Sequence, residues 1–152
     1  MNYLLLVLYY TFSSSIVLNN AVGADGSCNE KFKDNVTTAR DLAVIAKAVM
    51  EDKTLREIVS TQVYTMHAAG DIPAVVLENS NLLLTDSAFR SENFTCIGIK
   101  TGYTSEAGYC LAACGRDVDG NEVIVIALGN EYKKESYTQT MKMLDYIFKY
   151  EK

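Results

Sequence analysis

Apolar residues recur at helical spacing from Leu42 through Ile45, Ala46 and Val49, and Thr38-x-x-Asp41 just before them has the form of a helix cap. A helix is therefore expected to begin at Thr38. A shorter one is expected from Thr54, where Thr54-x-x-Glu57 repeats the arrangement and Leu55, Ile58 and Val59 supply apolar contacts. Residues 62–66 and 74–77 read as strands, separated by Ala68-Ala69-Gly70-Asp71 and the chain's only proline, Pro73. Asn79-Ser80-Asn81 reads as a polar turn, and Leu82-Leu83-Leu84 as the apolar plug after it.

Farther on the period becomes two. Ile97, Ile99, Thr101 and Tyr103 would share one face of a strand, with Gly98, Lys100 and Gly102 on the other, because side chains alternate along a strand. One face suits packing, while the other sets a single ammonium between two glycines, where another backbone or a ligand has room to approach. Residues 109–114 and 122–128 read as two more strands, and Asp119-Gly120 between them carries an antiparallel hairpin signal. Val123 to Leu128 is apolar on both faces, the pattern of a central strand covered on both sides. A last helix over residues 134–150 places Tyr137, Met141, Leu144 and Phe148 on one stripe. The expected fold class is α+β: an antiparallel sheet covered by helices, one of them carboxyl-terminal.

The 152 residues, about half of them hydrophobic, have the composition of one globular domain. A net charge of −5 supplies no basic field, which excludes nucleic acid as the expected partner. The four cysteines, at positions 28, 96, 110 and 114, form no Cys-x-x-Cys pair, and no metal or cofactor is implied. On one strand Cys110 and Cys114 would stand roughly 13 Å apart, beyond the reach of a disulfide, and both read as small buried hydrophobes. His67, the only histidine, has no recognisable acid or nucleophile beside it, and Asp117, Asp119 and Glu122 read as a solvated hairpin. Residues 1–18 form an apolar leader with no charged side chain. Its continuous apolar run, Leu4 to Tyr10, is too short for a spanning helix. Export signal, buried strand and stray start remain open for it.

Several separated segments, in order, resemble one family. They are Asn20-Ala21-Val22-Gly23-Ala24-Asp25-Gly26, Thr37-Thr38-Ala39-Arg40-Asp41-Leu42-Ala43, Asn79-Ser80-Asn81-Leu82-Leu83, and Gly98-Ile99-Lys100-Thr101-Gly102-Tyr103-Thr104 with Ala107-Gly108-Tyr109 behind it. Together they resemble the serine-type D-alanyl-D-alanine carboxypeptidases, low-molecular-weight penicillin-binding proteins that share the serine β-lactamase-like fold. The resemblance runs from residue 19 to 152 and implies the carboxyl-terminal part of the catalytic domain. It further implies a place in peptidoglycan biosynthesis, a bacterial and extracytoplasmic location, and a stem peptide ending in D-Ala-D-Ala as the ligand.

By resemblance, Lys100 would set positive charge near the nucleophile and the terminal carboxylate of that peptide, and the Thr101 hydroxyl would donate to the carboxylate. Gly102 would keep the strand edge clear for a peptide pairing through main-chain groups. The family's chemistry needs Ser-x-x-Lys, Ser-x-Asn and Lys-Thr-Gly. No serine of this chain is followed by Ser-x-x-Lys spacing, and Ser27-Cys28-Asn29 falls after the Asn-Ala-Val-Gly segment, where the family's element comes before it. With nucleophile and base absent, no catalytic residue is assigned and no covalent β-lactam adduct is expected. The alternative is a non-catalytic exported binding module that uses the same strand edge.

Overall fold

A computed structural model describes residues 16–20, 23 and 34–151. Most of the apolar leader, Ser27 and Cys28 lie outside the described residues. Near its end, Val17 bridges Val36 antiparallel, and the Asn35 side chain accepts from the main chain of Asn19 at 2.7 Å.

Helix α1 spans Ala39–Glu51. Thr38 caps it as expected: Asp41 N donates to Thr38 Oγ1 at 3.2 Å, and that hydroxyl donates to Asp41 Oδ2 at 2.9 Å. Its buried stripe is Ala46, Val49 and Met50. Helix α2 spans Lys53–Ser60 and corrects the expected start at Thr54. Asp52 is the cap, because its carboxylate accepts from Leu55 N at 2.9 Å and leaves Thr54 inside the first turn.

Strands β1 (Val63–Met66) and β2 (Val75–Glu78) pair antiparallel as a separate two-stranded sheet, exposed along its whole length. A short helix α3, Leu82–Thr85, buries Leu83 and is capped by Asn81, whose Oδ1 accepts from Leu83 N at 3.1 Å. Strands β3 (Thr95–Thr104), β4 (Gly108–Arg116) and β5 (Glu122–Asn130) form the main antiparallel sheet in the order β3-β4-β5. Helix α4, Lys133–Tyr150, lies across it.

The sheet packs on both faces. Against α4 it sets Leu111, Ala113 and Val125 among Leu83, Phe94, Tyr137, Leu144 and Phe148. Against α1 and α2 it sets Ile99 and Cys114 among Ala46, Val49 and Met50, with Ile97, Ile124 and Ile126 partly buried beside them. Burying each large aliphatic side chain contributes about 1.5–3 kcal/mol, so these two layers hold the molecule together. Strand β5 is thus covered on both faces, as its apolar run predicts. It is not central, however: among the described residues it pairs only with β4, which takes the middle place.

Arg56 joins the layers laterally. Its guanidinium donates to Met50 O at 2.8 Å and to Glu122 Oε1, which also meets Arg116 Nε at 3.1 Å.

Candidate active-site cleft

The Ile97 to Tyr103 alternation acquires its shape from a bulge. The β3–β4 register shifts between Cys96 and Ile99, and Gly98 at φ +140° presses against α2, where an added Cβ would stand 3.0 Å from Val59 Cγ2. Ile97 and Ile99 are thereby turned into the α1 and α2 layer, while the chain from Lys100 onward leaves it. Among the described residues β3 is the outer strand of the sheet.

Lys100, Thr101 and Gly102 line a cleft of about 820 Å³ together with Ser80, Tyr103 and Cys110. Lys100 and Gly102 are exposed and Thr101 is half-buried. The Lys100 ammonium donates to the carbonyl of Thr101. Tyr103 packs against Tyr109, directly opposite it in the register, with ring centroids 4.4 Å apart and planes tilted by 34°. Lys133, at the start of α4, is a second cation among the described lining residues, and none of those carries a carboxylate. In a chain of net charge −5 the described lining of this cleft is positive, and it suits an anionic group.

Ser80 is the residue that sequence reading passed over, although it lies inside a segment carrying the resemblance. Its Oγ is 3.0 Å from Thr101 Oγ1, and its carbonyl accepts from the Tyr137 hydroxyl at 3.2 Å. Tyr137 is buried to 2 % exposure, and burial raises its phenol above the ordinary value. The Asn79 side chain is spent on the backbone: its Nδ2 donates to Thr61 O at 2.9 Å, and its Oδ1 accepts from Asn81 N at 2.9 Å. Asn81 uses only its Oδ1, on Leu83 N, while its buried Nδ2 meets no partner among the described residues.

The reading of Cys110 as a buried hydrophobe is corrected, since it is half-buried and faces the cleft opposite Gly102. Cys114 is fully buried as expected. His67 is exposed just beyond β1 and takes no part in the lining. Asp117 binds its own turn, accepting from Asn121 N at 2.8 Å and from Asp119 N at 3.0 Å. Among the described residues no group of histidines, cysteines and carboxylates is arranged to hold a metal ion.

A second Ser-x-Asn sequence, Ser91-Glu92-Asn93, is committed elsewhere. Ser91 Oγ donates to Asp145 Oδ1 of α4, and Asn93 Nδ2 reaches the same oxygen at 3.1 Å. It does not line the cleft.

Known proteins place this arrangement. Residues 19–131 match the family model described as D-alanyl-D-alanine carboxypeptidase. The chain is 32% identical over 113 residues to D-alanyl-D-alanine carboxypeptidase DacF of Bacillus subtilis, covering 74% of this chain and 27% of that one. It is 30% identical over 118 residues to the D-alanyl-D-alanine carboxypeptidase of Streptomyces sp. strain K15, covering 75% and 38%. Penicillin-binding protein D2 of Listeria monocytogenes, solved in its cefotaxime-bound form, superimposes with a TM-score of 0.75 at 26% identity, covering 95% of this chain and 52% of that one. The chain thus spans between about a quarter and about a half of these proteins. No helix among the described residues is long and apolar enough to cross a membrane. With a matching family model over residues 19–131 and the Lys-Thr-Gly segment on the outer strand of the described sheet, the chain belongs to the D-alanyl-D-alanine carboxypeptidase family.

Proposed function

We propose that this chain is a carboxyl-terminal portion of a D-Ala-D-Ala carboxypeptidase domain, one that holds the peptide but does not acylate. The observation that carries the proposal is the position of Lys100, Thr101 and Gly102 on the outer strand of the sheet, lining a positive cleft. Lys100 attracts the terminal carboxylate of the peptide and the Thr101 hydroxyl donates to it, a charge-assisted bond about twice as strong as a neutral one. The rim of β3 offers main-chain groups to an extended peptide, which adds as a further strand. The cleft is open above Gly102, where a Cβ would meet nothing within 4 Å.

Acylation requires a hydroxyl activated by a neighbouring base. Within these 152 residues no serine has a lysine three positions on. The family's setting, peptidoglycan maturation outside the cytoplasm of a bacterium, extends to this chain as part of the same proposal.

Incubation of the purified chain with an N-acylated peptide ending in D-Ala-D-Ala is expected to release no D-alanine. A labelled penicillin is expected to leave no covalent adduct on a denaturing gel. Either product would overturn the acylation-deficient reading. Calorimetry with the same peptide is expected to show binding in the wild type and its loss in Lys100→Ala. Equal binding in the two would remove Lys100 from the site.

A further inference from the structure

Ser80 and Thr101 come from segments 21 residues apart, yet their hydroxyl oxygens lie 3.0 Å apart. Two hydroxyls carry two protons and their mutual bond consumes one. The remaining proton is the one the pair can present to a ligand.

The direction of that proton depends on what holds the pair. Thr101 belongs to the sheet, so its backbone is fixed by pairing with Leu111 of β4. Ser80 belongs to a loop, and that loop is clamped at three points. The buried Tyr137 hydroxyl holds the Ser80 carbonyl at 3.2 Å, Asn79 Nδ2 holds Thr61 O at 2.9 Å, and Asn81 caps α3 through Leu83 N at 3.1 Å. Of the three residues in Asn79-Ser80-Asn81, Ser80 alone lines the cleft. A side chain held from behind by helix, strand connection and cap, and directed at a hydroxyl of the cleft, is placed to fix that hydroxyl's rotamer.

We infer that Ser80 is a positioning residue of the carboxylate site. Its Oγ–H donates to Thr101 Oγ1, which leaves the Thr101 hydroxyl proton aimed into the cleft beside the Lys100 ammonium, where a carboxylate oxygen of the ligand accepts it. This inference rests on the reading of Lys100 and Thr101 as a carboxylate site.

The test compares an N-acylated peptide ending in D-Ala-D-Ala with the same peptide as its carboxyl-terminal amide, titrated into the full chain and its variants. The wild type is expected to prefer the acid. Ser80→Ala is expected to lower that preference about two- to tenfold, the loss of one neutral hydrogen bond, and Ser80→Thr, which keeps the hydroxyl, is expected to restore it. Side-chain scalar couplings of Thr101 supply a readout independent of the peptide, reporting one fixed rotamer in the wild type and averaging in Ser80→Ala. An unchanged acid preference and unchanged couplings in Ser80→Ala, with the preference lost in Lys100→Ala, overturn the role of Ser80 and leave the Lys100 site standing. A wild type that binds acid and amide equally, or neither, overturns both.

Discussion

Gly115 lies beneath Phe148: a Cβ on Gly115 would stand 2.8 Å from Phe148 Cε2 and 2.9 Å from Phe94 Cδ2. The two rings stack with centroids 5.4 Å apart, so this glycine is the floor on which α4 seats against β4. Both rings sit in a buried layer with Leu144 beside them, 3.3 Å from the same added Cβ, and packed interiors yield little. Gly115→Ala is expected to destabilise the fold by about 1–3 kcal/mol, measured as a lower midpoint in urea unfolding. A midpoint equal to the wild type would mean that the rings move aside without penalty.

Gly102→Ala is the contrasting substitution. Nothing lies within 4 Å of the added methyl, so stability toward urea is expected to hold or to rise by about 0.4–1 kcal/mol as the unfolded chain loses freedom. Affinity for a D-Ala-D-Ala peptide is expected to fall, because Gly102 lines the cleft and its added methyl takes up space over which the bound peptide would lie. Undiminished affinity in a stably folded Gly102→Ala would show that the peptide does not lie over Gly102.

Local rules were legible and tertiary ones were not. The Thr38 cap could be read because donor and acceptor lie three residues apart in the sequence. The start of α2 was misplaced for the same local reason: Asp52 and Thr54 both offer a capping oxygen, and the carboxylate two residues earlier took the Leu55 amide. For β5, periodicity reported which faces are buried, and both are. It holds no information on hydrogen-bond neighbours, so the strand's lateral position stayed hidden. At the cleft, Lys100-Thr101-Gly102 was legible as a motif. Ser80 reached Thr101 only through the folded path of β1, β2 and α3, and Cys110 faced the cleft because the β3–β4 register set it opposite Gly102.

Arg56 tests the lateral tie between layers. It contacts Met50 O and Glu122, and its guanidinium pKa is raised chiefly by the Glu122 hydrogen bond. Both side chains keep roughly a quarter to a third of their surface in solvent, 30% for Arg56 and 26% for Glu122, so the pair is only partly shielded. Arg56→Ala is expected to lower stability by about 1 kcal/mol at low salt, with a smaller difference at 1 M salt. A loss that does not change with salt would assign the effect to the Met50 carbonyl and to packing instead of to charge.

Cys114 gives the fold a dependence on alkaline pH whose direction is fixed. Burial among Met50, Ile99 and Ile124 pushes its thiol up to about 12 from an ordinary 9.0, and burial pushes Cys96 up to about 11. Below the ordinary value both thiols are protonated whether the chain is folded or not, and their contribution is complete. As pH rises from about 9 toward 12 the unfolded chain releases these protons while the folded chain retains them, so stability falls across that window. Tyrosines and lysines titrate over the same range, so the informative quantity is the difference between wild type and Cys114→Ala in parallel urea titrations. The variant is expected to be less stable than the wild type at pH 7 because a packed side chain is shortened, and to lose less stability between pH 9 and 11. Curves that stay parallel across the window would mean that the Cys114 thiol ionises as readily in the folded protein as in the unfolded chain.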